Sequence, residues 1–292
     1  MIGYLISRLN LDALIRQYRP QWSNRAAVYT ADFTARGRYV KHAPIWSEIK
    51  PVYIGHQGHS KCGYCERKFE SVEVGRIELA VEHFRPKSKV NRWRLPSALR
   101  NMGIAFTNVP IPNGGYYLLA YDIRNYCAAC GPCNTVLKRN YFPIAGVYDF
   151  TAASSDALQG EQPLLLYPLT DDAEQFIEFY GVSPRPVSQQ GHPRNRALVT
   201  IEFFKLDDVN KRKNLIRERA QLLTAVFPQL EAMCGDGLPH DKQLARDLVF
   251  AYLASTSPHS NCLRSFVFLF FTAPHDARKV YASAAQFVSA SS

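Results

Sequence analysis

Val81-Glu82-His83-Phe84-Arg85-Pro86-Lys87 lies between two cysteine pairs, Cys62-Gly63-Tyr64-Cys65 and Cys130-Gly131-Pro132-Cys133, and this order decides the fold. A Cys-x-x-Cys turn aims two thiolates at one ion. Two such turns build a closed tetrahedral set of four sulfurs, which favours zinc and leaves no position for substrate. Cys62, Cys65, Cys130 and Cys133 are therefore expected to hold a structural zinc that pins two distant segments together. Cys127-Ala128-Ala129-Cys130 has the same spacing and leaves Cys127 as an alternative ligand. The later pair is preferred because Gly131 and Pro132 suit the tight turn of a knuckle. Cys127, Cys234 and Cys262 are then expected to be small buried residues.

The residues between and after the pairs carry a second chemistry. The Glu82 carboxylate and the Asn134 amide are oxygen donors suited to a hard cation such as magnesium or manganese. The His83 imidazole can take a proton from water near neutral pH. Lys138 follows Asn134 at helical spacing and is expected to face the same way. The chain of 292 residues has a net charge of +10, which favours a polyanionic partner. That charge is unevenly spread: His83 to Tyr121 contains no acidic residue but holds Arg85, Lys87, Lys89, Arg92, Arg94 and Arg100. The alternatives for this stretch are phosphate contact and a solvated loop. His56 and His59 are expected to be loop residues rather than ligands.

Hydrophobic residues make up 47% of the chain, enough for a real core and too many for a disordered chain. The apolar run Phe266 to Phe271 falls far short of the roughly 20 residues of a membrane span. Arg8 and Asp12 interrupt the first apolar run, so no secretory leader is expected. The expectation is a reducing cytoplasm, where thiols bind metal rather than pair as disulfides. Residues 1–50 read as a helical segment with Leu5, Leu9, Leu11, Leu14 and Ile15 at rough helical spacing. Residues 51–150 carry the chemistry, with a loop over 51–60 and an insertion from Leu95 to Gly115. Residues 151–292 begin with a linker over 151–165 and continue as a mostly helical region suited to partner docking. Its expected elements are a helix over Ile201 to Leu223 with Asp207 or Asp208 as cap, another over Asp241 to Leu253, and a short buried helix or strand from Cys262 to Phe271.

The order of these motifs resembles the HNH endonucleases, and more narrowly the PtuB-type HNH proteins of Septu and retron-associated anti-phage defence systems. The pieces that carry the resemblance are Cys62 to Glu66, Glu82 to Lys87, Gly115 to Asp122, Asn125 to Asn134, Lys138, Phe142-Pro143, Glu161 to Pro168 and Thr200 to Leu206. Asn125 stands five residues before Cys130, the family spacing. Leu118 and Ile123 stand where that family often has tryptophan. The resemblance implies an α+β fold, mainly helical around a ββα-metal core: a strand ending at Glu82-His83, a second strand after the insertion, and a helix from near Gly131. It implies catalytic roles for Glu82, His83, Asn125 and Asn134, with magnesium or manganese on Glu82 and Asn134 and phosphate contacts from Arg85, Lys87 and Lys138. It further implies a metal-dependent endonuclease acting on DNA and gated by a partner ATPase of the PtuA type. A nuclease acting on transfer RNA or other RNA is the second reading. A zinc-stabilised nucleic-acid binding module without cleavage is the third.

Overall fold

Strand β1, Leu79–His83, pairs antiparallel with β2, Tyr126–Cys130, so that Leu79 faces Cys130, Glu82 faces Cys127 and His83 faces Tyr126. The computed structural model describes residues 1–58 and 60–290, and His59 lies outside them. Directly after β2 the chain turns into a wide, π-type helix over Pro132–Lys138. The two strands and this helix stand where the sequence reading expects them.

Helices surround this unit. Ser7 caps α1, Arg8–Tyr18, by accepting from Asn10 N at 3.2 Å, and α2, Trp22–Arg36, ends on Gly37 at a left-handed φ of 62°. Of the five apolar residues at helical spacing, only Leu11 and Ile15 are buried; Leu5, Leu9 and Leu14 face outward. Residues 51–60 are not simply a loop. A short 3-10 turn, Ile45–Ile49, runs into α3, Lys50–His56, with Pro51 in the first turn, where its missing N–H costs nothing. His56 accordingly sits in a helical turn and bonds the Tyr4 carbonyl at 2.7 Å. Two short helices follow, α4, Val72–Glu78, before β1 and α5, Ser97–Asn101, in the insertion.

The stretch 151–165 is not a linker. It winds through two 3-10 turns and buries Glu161, then runs into Leu164, Leu165 and Leu166, all fully buried. Each such leucine contributes about 1.5–3 kcal/mol of burial free energy. Tyr167 stacks on Phe84 with centroids 4.5 Å apart and donates its hydroxyl to Tyr126 O at 2.6 Å. The segment thus forms the floor under the β1–β2 pair.

A tight hairpin follows, β3, Ile177–Tyr180, against β4, Ser183–Pro186, turning at Gly181 with φ 61°. Helices α6, Gly191–Phe203, α7, Lys213–Cys234, α8, Pro239–Leu253, α9, Ser260–Thr272, and α10, Pro274–Ser289, complete the chain. The expected single helix over 201–223 is two helices. Between them Asp208 accepts from Asn210 N and Lys211 N at 3.1 and 3.0 Å, which closes a turn instead of capping a helix. The expected short buried element at 262–271 is α9, and only one face of it is buried: Phe268 and Phe271 are exposed. Cys234 is exposed at the end of α7, while Cys127 and Cys262 are buried as expected. One buried apolar cluster extends from Met1 through Tyr126 and Leu166 to Ala284.

The Arg85–Glu161 ion pair joins the strand unit to this floor. Arg85 Nε lies 2.7 Å from Glu161 Oε2, both side chains are buried, and Tyr116 donates its hydroxyl to the same carboxylate. Removing one partner of a buried pair strands the other charge and typically costs about 3–5 kcal/mol. Glu161→Ala is expected to lower stability by about that amount in urea unfolding, with unchanged unfolding slope.

Candidate functional site

The four expected cysteines converge. The sulfurs of Cys62, Cys65, Cys130 and Cys133 all lie within 4.8 Å of one another, and Cys65 and Cys130 are 3.8 Å apart. A tetrahedral zinc with Zn–S bonds of ~2.3 Å requires sulfurs about 3.8 Å apart, so the set fits this ion. Cys127 is outside the set, because residues 127 and 130 of an extended strand point to opposite faces. The thiols cannot all ionise at this distance without a cation. Hydrogen bonds from Cys130, Cys133 and Cys62 hold Cys65 well below the usual thiol range, while the Cys133 thiol, donating in the same cluster, is pushed well above it.

Neighbouring backbone fixes the knuckles. Gly63 N donates to Ala128 O at 3.0 Å, and the buried Gln57 amide clamps Ala128 from the other side, accepting from its N at 2.7 Å and donating to its O at 3.1 Å. A Cβ on Gly63 would sit 2.6 Å from Gln57 Nε2 and 3.0 Å from Pro168 Cγ, so a side chain there would push on the amide that clamps β2. Arg212, the residue before α7, directs Nη1 and Nη2 at the Cys133 sulfur, each at 3.7 Å. A cation there offsets the excess negative charge that four thiolates keep around a divalent ion. Neither Gln57 nor Arg212 carries a signal in the sequence; both act from far outside the motif.

At the end of β1 Glu82, His83 and Lys138 come together, while the Asn134 side chain makes no hydrogen bond to them among the described residues. Lys138 Nζ, fully buried, lies 3.1 Å from Glu82 Oε1 and 3.5 Å from His83 O. That ammonium is the partner of the buried carboxylate oxygen. Burial pushes the Glu82 carboxyl up and the Lys138 ammonium down, and their mutual attraction opposes both shifts. His83 Nε2 lies 3.1 Å from Ala120 O. A carbonyl only accepts, so Nε2 carries the proton of the neutral ring and the lone pair is on Nδ1. Burial first, then the nearby Lys87 charge, holds His83 well below its usual pKa, so the ring is neutral at pH 7. Trp46 and Tyr126 stand edge-on to it, each with centroids 4.9 Å away. The Asn125 amide is fully buried. It accepts from Arg85 N at 2.8 Å and donates to Arg85 O at 3.0 Å and Leu119 O at 3.1 Å, locking the chain just past His83 to the chain entering β2.

The three expected phosphate-gripping cations fare differently. Arg85 and Lys138 are in the interior, matched to Glu161 and Glu82, so neither is a free surface cation. Lys87 is half-buried, with its ammonium 4.6 Å above the Trp46 ring and 5.7 Å from that of Tyr39, and it faces the same group as Glu82 and His83. Asn134 is half-buried at the start of the wide helix, four residues before Lys138. Trp46, Tyr39 and Tyr121 form a wall that the sequence reading missed, since Tyr39 and Trp46 belong to no motif and Tyr121 enters only as part of the Gly115 to Asp122 piece.

A four-sulfur knuckle clasped to a two-stranded Glu–His unit is the class of centre that fold and site define. By sequence, the chain is 36% identical over 155 residues to the Septu protein PtuB of Bacillus mycoides (strain KBAB4), a match covering 53% of this chain and 45% of that relative. The resemblance to PtuB read from the motifs is therefore also present in direct alignment, and the chain spans about half the length of the curated relative it matches. No family model and no solved structure matches the chain.

The purified chain is expected to carry one zinc per molecule by elemental analysis. Gly63→Val should weaken zinc retention by about tenfold or more, as expected for a displaced support of a ligand, whereas Cys127→Ala should keep the full complement. Full zinc in Gly63→Val or its loss in Cys127→Ala would contradict the cluster assignment.

Proposed function

We propose that this chain is a metal-dependent HNH-type endonuclease that hydrolyses phosphodiester bonds of DNA, as the effector of an anti-phage system. The observation that carries this reading is the joint placement of Glu82 and His83 at one strand end, with the Asn125 amide locking the backbone beside them. A protein that only binds nucleic acid has no need of a neutral, oriented imidazole next to a buried carboxylate.

The residues divide the work. His83, held by its Nε2–H to Ala120 O, presents the Nδ1 lone pair to an attacking water and takes its proton. Asn125 keeps that ring in register. The Glu82 carboxylate and the Asn134 amide oxygen are hard donors that suit magnesium or manganese. Such an ion supplies Lewis acidity at the scissile phosphate. Lys87 is placed to meet a neighbouring phosphate from the rim. Lys138 neutralises Glu82 from the interior side.

The likeness to PtuB supports an ATPase of the PtuA type as the gating partner, and free thiols suit a reducing, cytoplasmic setting. No described helix is long and apolar enough to cross a membrane.

The test is cleavage of plasmid DNA and of RNA by the zinc-loaded chain, with and without magnesium, in the presence of its partner. His83→Ala should cut about 10²–10⁴-fold more slowly while keeping its zinc and melting temperature. Equal cutting by that variant sinks the mechanism, exclusive cutting of RNA moves the substrate to the second reading, and magnesium-independent binding without cutting supports the third.

A further inference from the structure

The insertion between β1 and β2 holds a concavity separate from the Glu82–His83 group. Asn91 N donates to Asn140 O at 2.7 Å and Thr107 N to Ile144 O at 2.9 Å, so both ends of the 92–106 segment are tied to the chain leaving the Pro132–Lys138 helix. Between the ties lies a cavity of about 620 Å³ whose lining includes Arg92, Trp93, Arg94, Arg100 and Phe106. Its floor is aromatic: Trp93 meets Phe106 edge-on at 5.9 Å and leans on Phe203 at 5.4 Å, and both Trp93 and Phe106 remain half-exposed. Its rim is cationic. Arg92, Arg94 and Arg100 are exposed, and none forms an ion pair among the described residues. Arg100 Nη2 donates to Leu95 O at 3.1 Å, which steers one guanidinium over the cavity while leaving most of its donors free. This differs from Arg85 and Lys138, whose charges are satisfied inside the protein.

We propose that this concavity binds single-stranded nucleic acid, with phosphates on the Arg92, Arg94 and Arg100 guanidiniums and an unpaired base over the Trp93–Phe106 floor. The planar guanidinium fork matches phosphate oxygens, and unmatched guanidiniums gain most from them. Aromatic rings offer any base a stacking partner, but only a base free of its own stack can use it, which favours a single strand over a duplex. A flat headgroup layer would not fill such a recess. The choice of ligand rests on the phosphodiesterase reading, although none of these residues belongs to that site.

The test is fluorescence anisotropy of the full zinc-loaded chain without magnesium, so that binding is read apart from cutting. The probes are DNA and RNA single strands of one sequence, the corresponding duplex, and an abasic strand of equal length. Arg92→Gln, Arg94→Gln and Arg100→Gln together should weaken single-strand binding at least ~tenfold and lower the slope of log affinity against log salt by about two, at ~0.7 per lost phosphate contact. Trp93→Leu should erase the preference for base-bearing over abasic strands, and Trp93→Phe should retain it. Zinc content and melting temperature check the fold, and single arginine variants replace the triple if it melts early. Wild-type affinity in the triple variant, or equal binding of duplex, abasic and single-stranded probes by the native chain, overturns the proposal. Cleavage by native protein and its loss in His83→Ala report only on the Glu82–His83 site, so the two readings fail separately. The tighter of the DNA and RNA strands identifies the sugar.

Discussion

The constraint on which the site depends is the convergence of four sulfurs from two ends of a long loop. Cys62 and Cys65 come from the turn after α3, while Cys130 and Cys133 span the end of β2 and the start of the wide helix. Between them the chain makes β1, the insertion and β2. Fixing the sulfurs fixes where β2 ends. The antiparallel register then fixes where β1 ends, because Leu79 is opposite Cys130 and His83 opposite Tyr126. A slip of one residue would turn Glu82 and His83 to each other's faces. The position of the proposed base is thus set by a cluster that takes no part in the chemistry.

The second layer of control is backbone hydrogen bonding by buried amides. Gln57 grips Ala128 on one side of the pair, and Asn125 grips Arg85 on the other. Both side chains are fully buried and both use donor and acceptor, which holds two strands of chain at a defined separation. Aromatic walls complete the enclosure: Trp46 and Tyr126 bracket the imidazole, and Phe84 lies on Tyr167.

Much of this was legible in the sequence. Cysteine spacing identified all four members of the cluster, and the preference for Gly131-Pro132 over the Cys127 alternative matches the geometry. The strand–strand–helix order came with the family resemblance, and the alignment to PtuB covers 53% of the chain. What stayed hidden depends on partners far away in sequence. Arg85 and Lys138 look like surface cations until Glu161 and Glu82 are placed beside them. The run from Ile201 to Leu223 keeps a helical pattern of charges, so the break at Asp208 is visible only once its side chain is seen to accept two backbone protons. Residues 151–165 are rich in turn formers, which suggests a connector; buried Glu161, Leu158, Leu164 and Leu165 make them part of the interior. Tyr39 and Trp46 of the aromatic wall belong to a stretch with no motif at all.

The ammonium of Lys138 next to Glu82 makes that end of the strand pair electrically unlike the cysteine cluster. Where the sulfurs gather, negative charge accumulates beside Arg212 at the edge, and a metal is the counter-charge that the set fits. Around Glu82 the polypeptide brings its own counter-charge and is balanced from the moment it folds. The Glu82 end of the strand pair is thus electrically complete as folded, whereas the sulfur cluster keeps the capacity to take a cation.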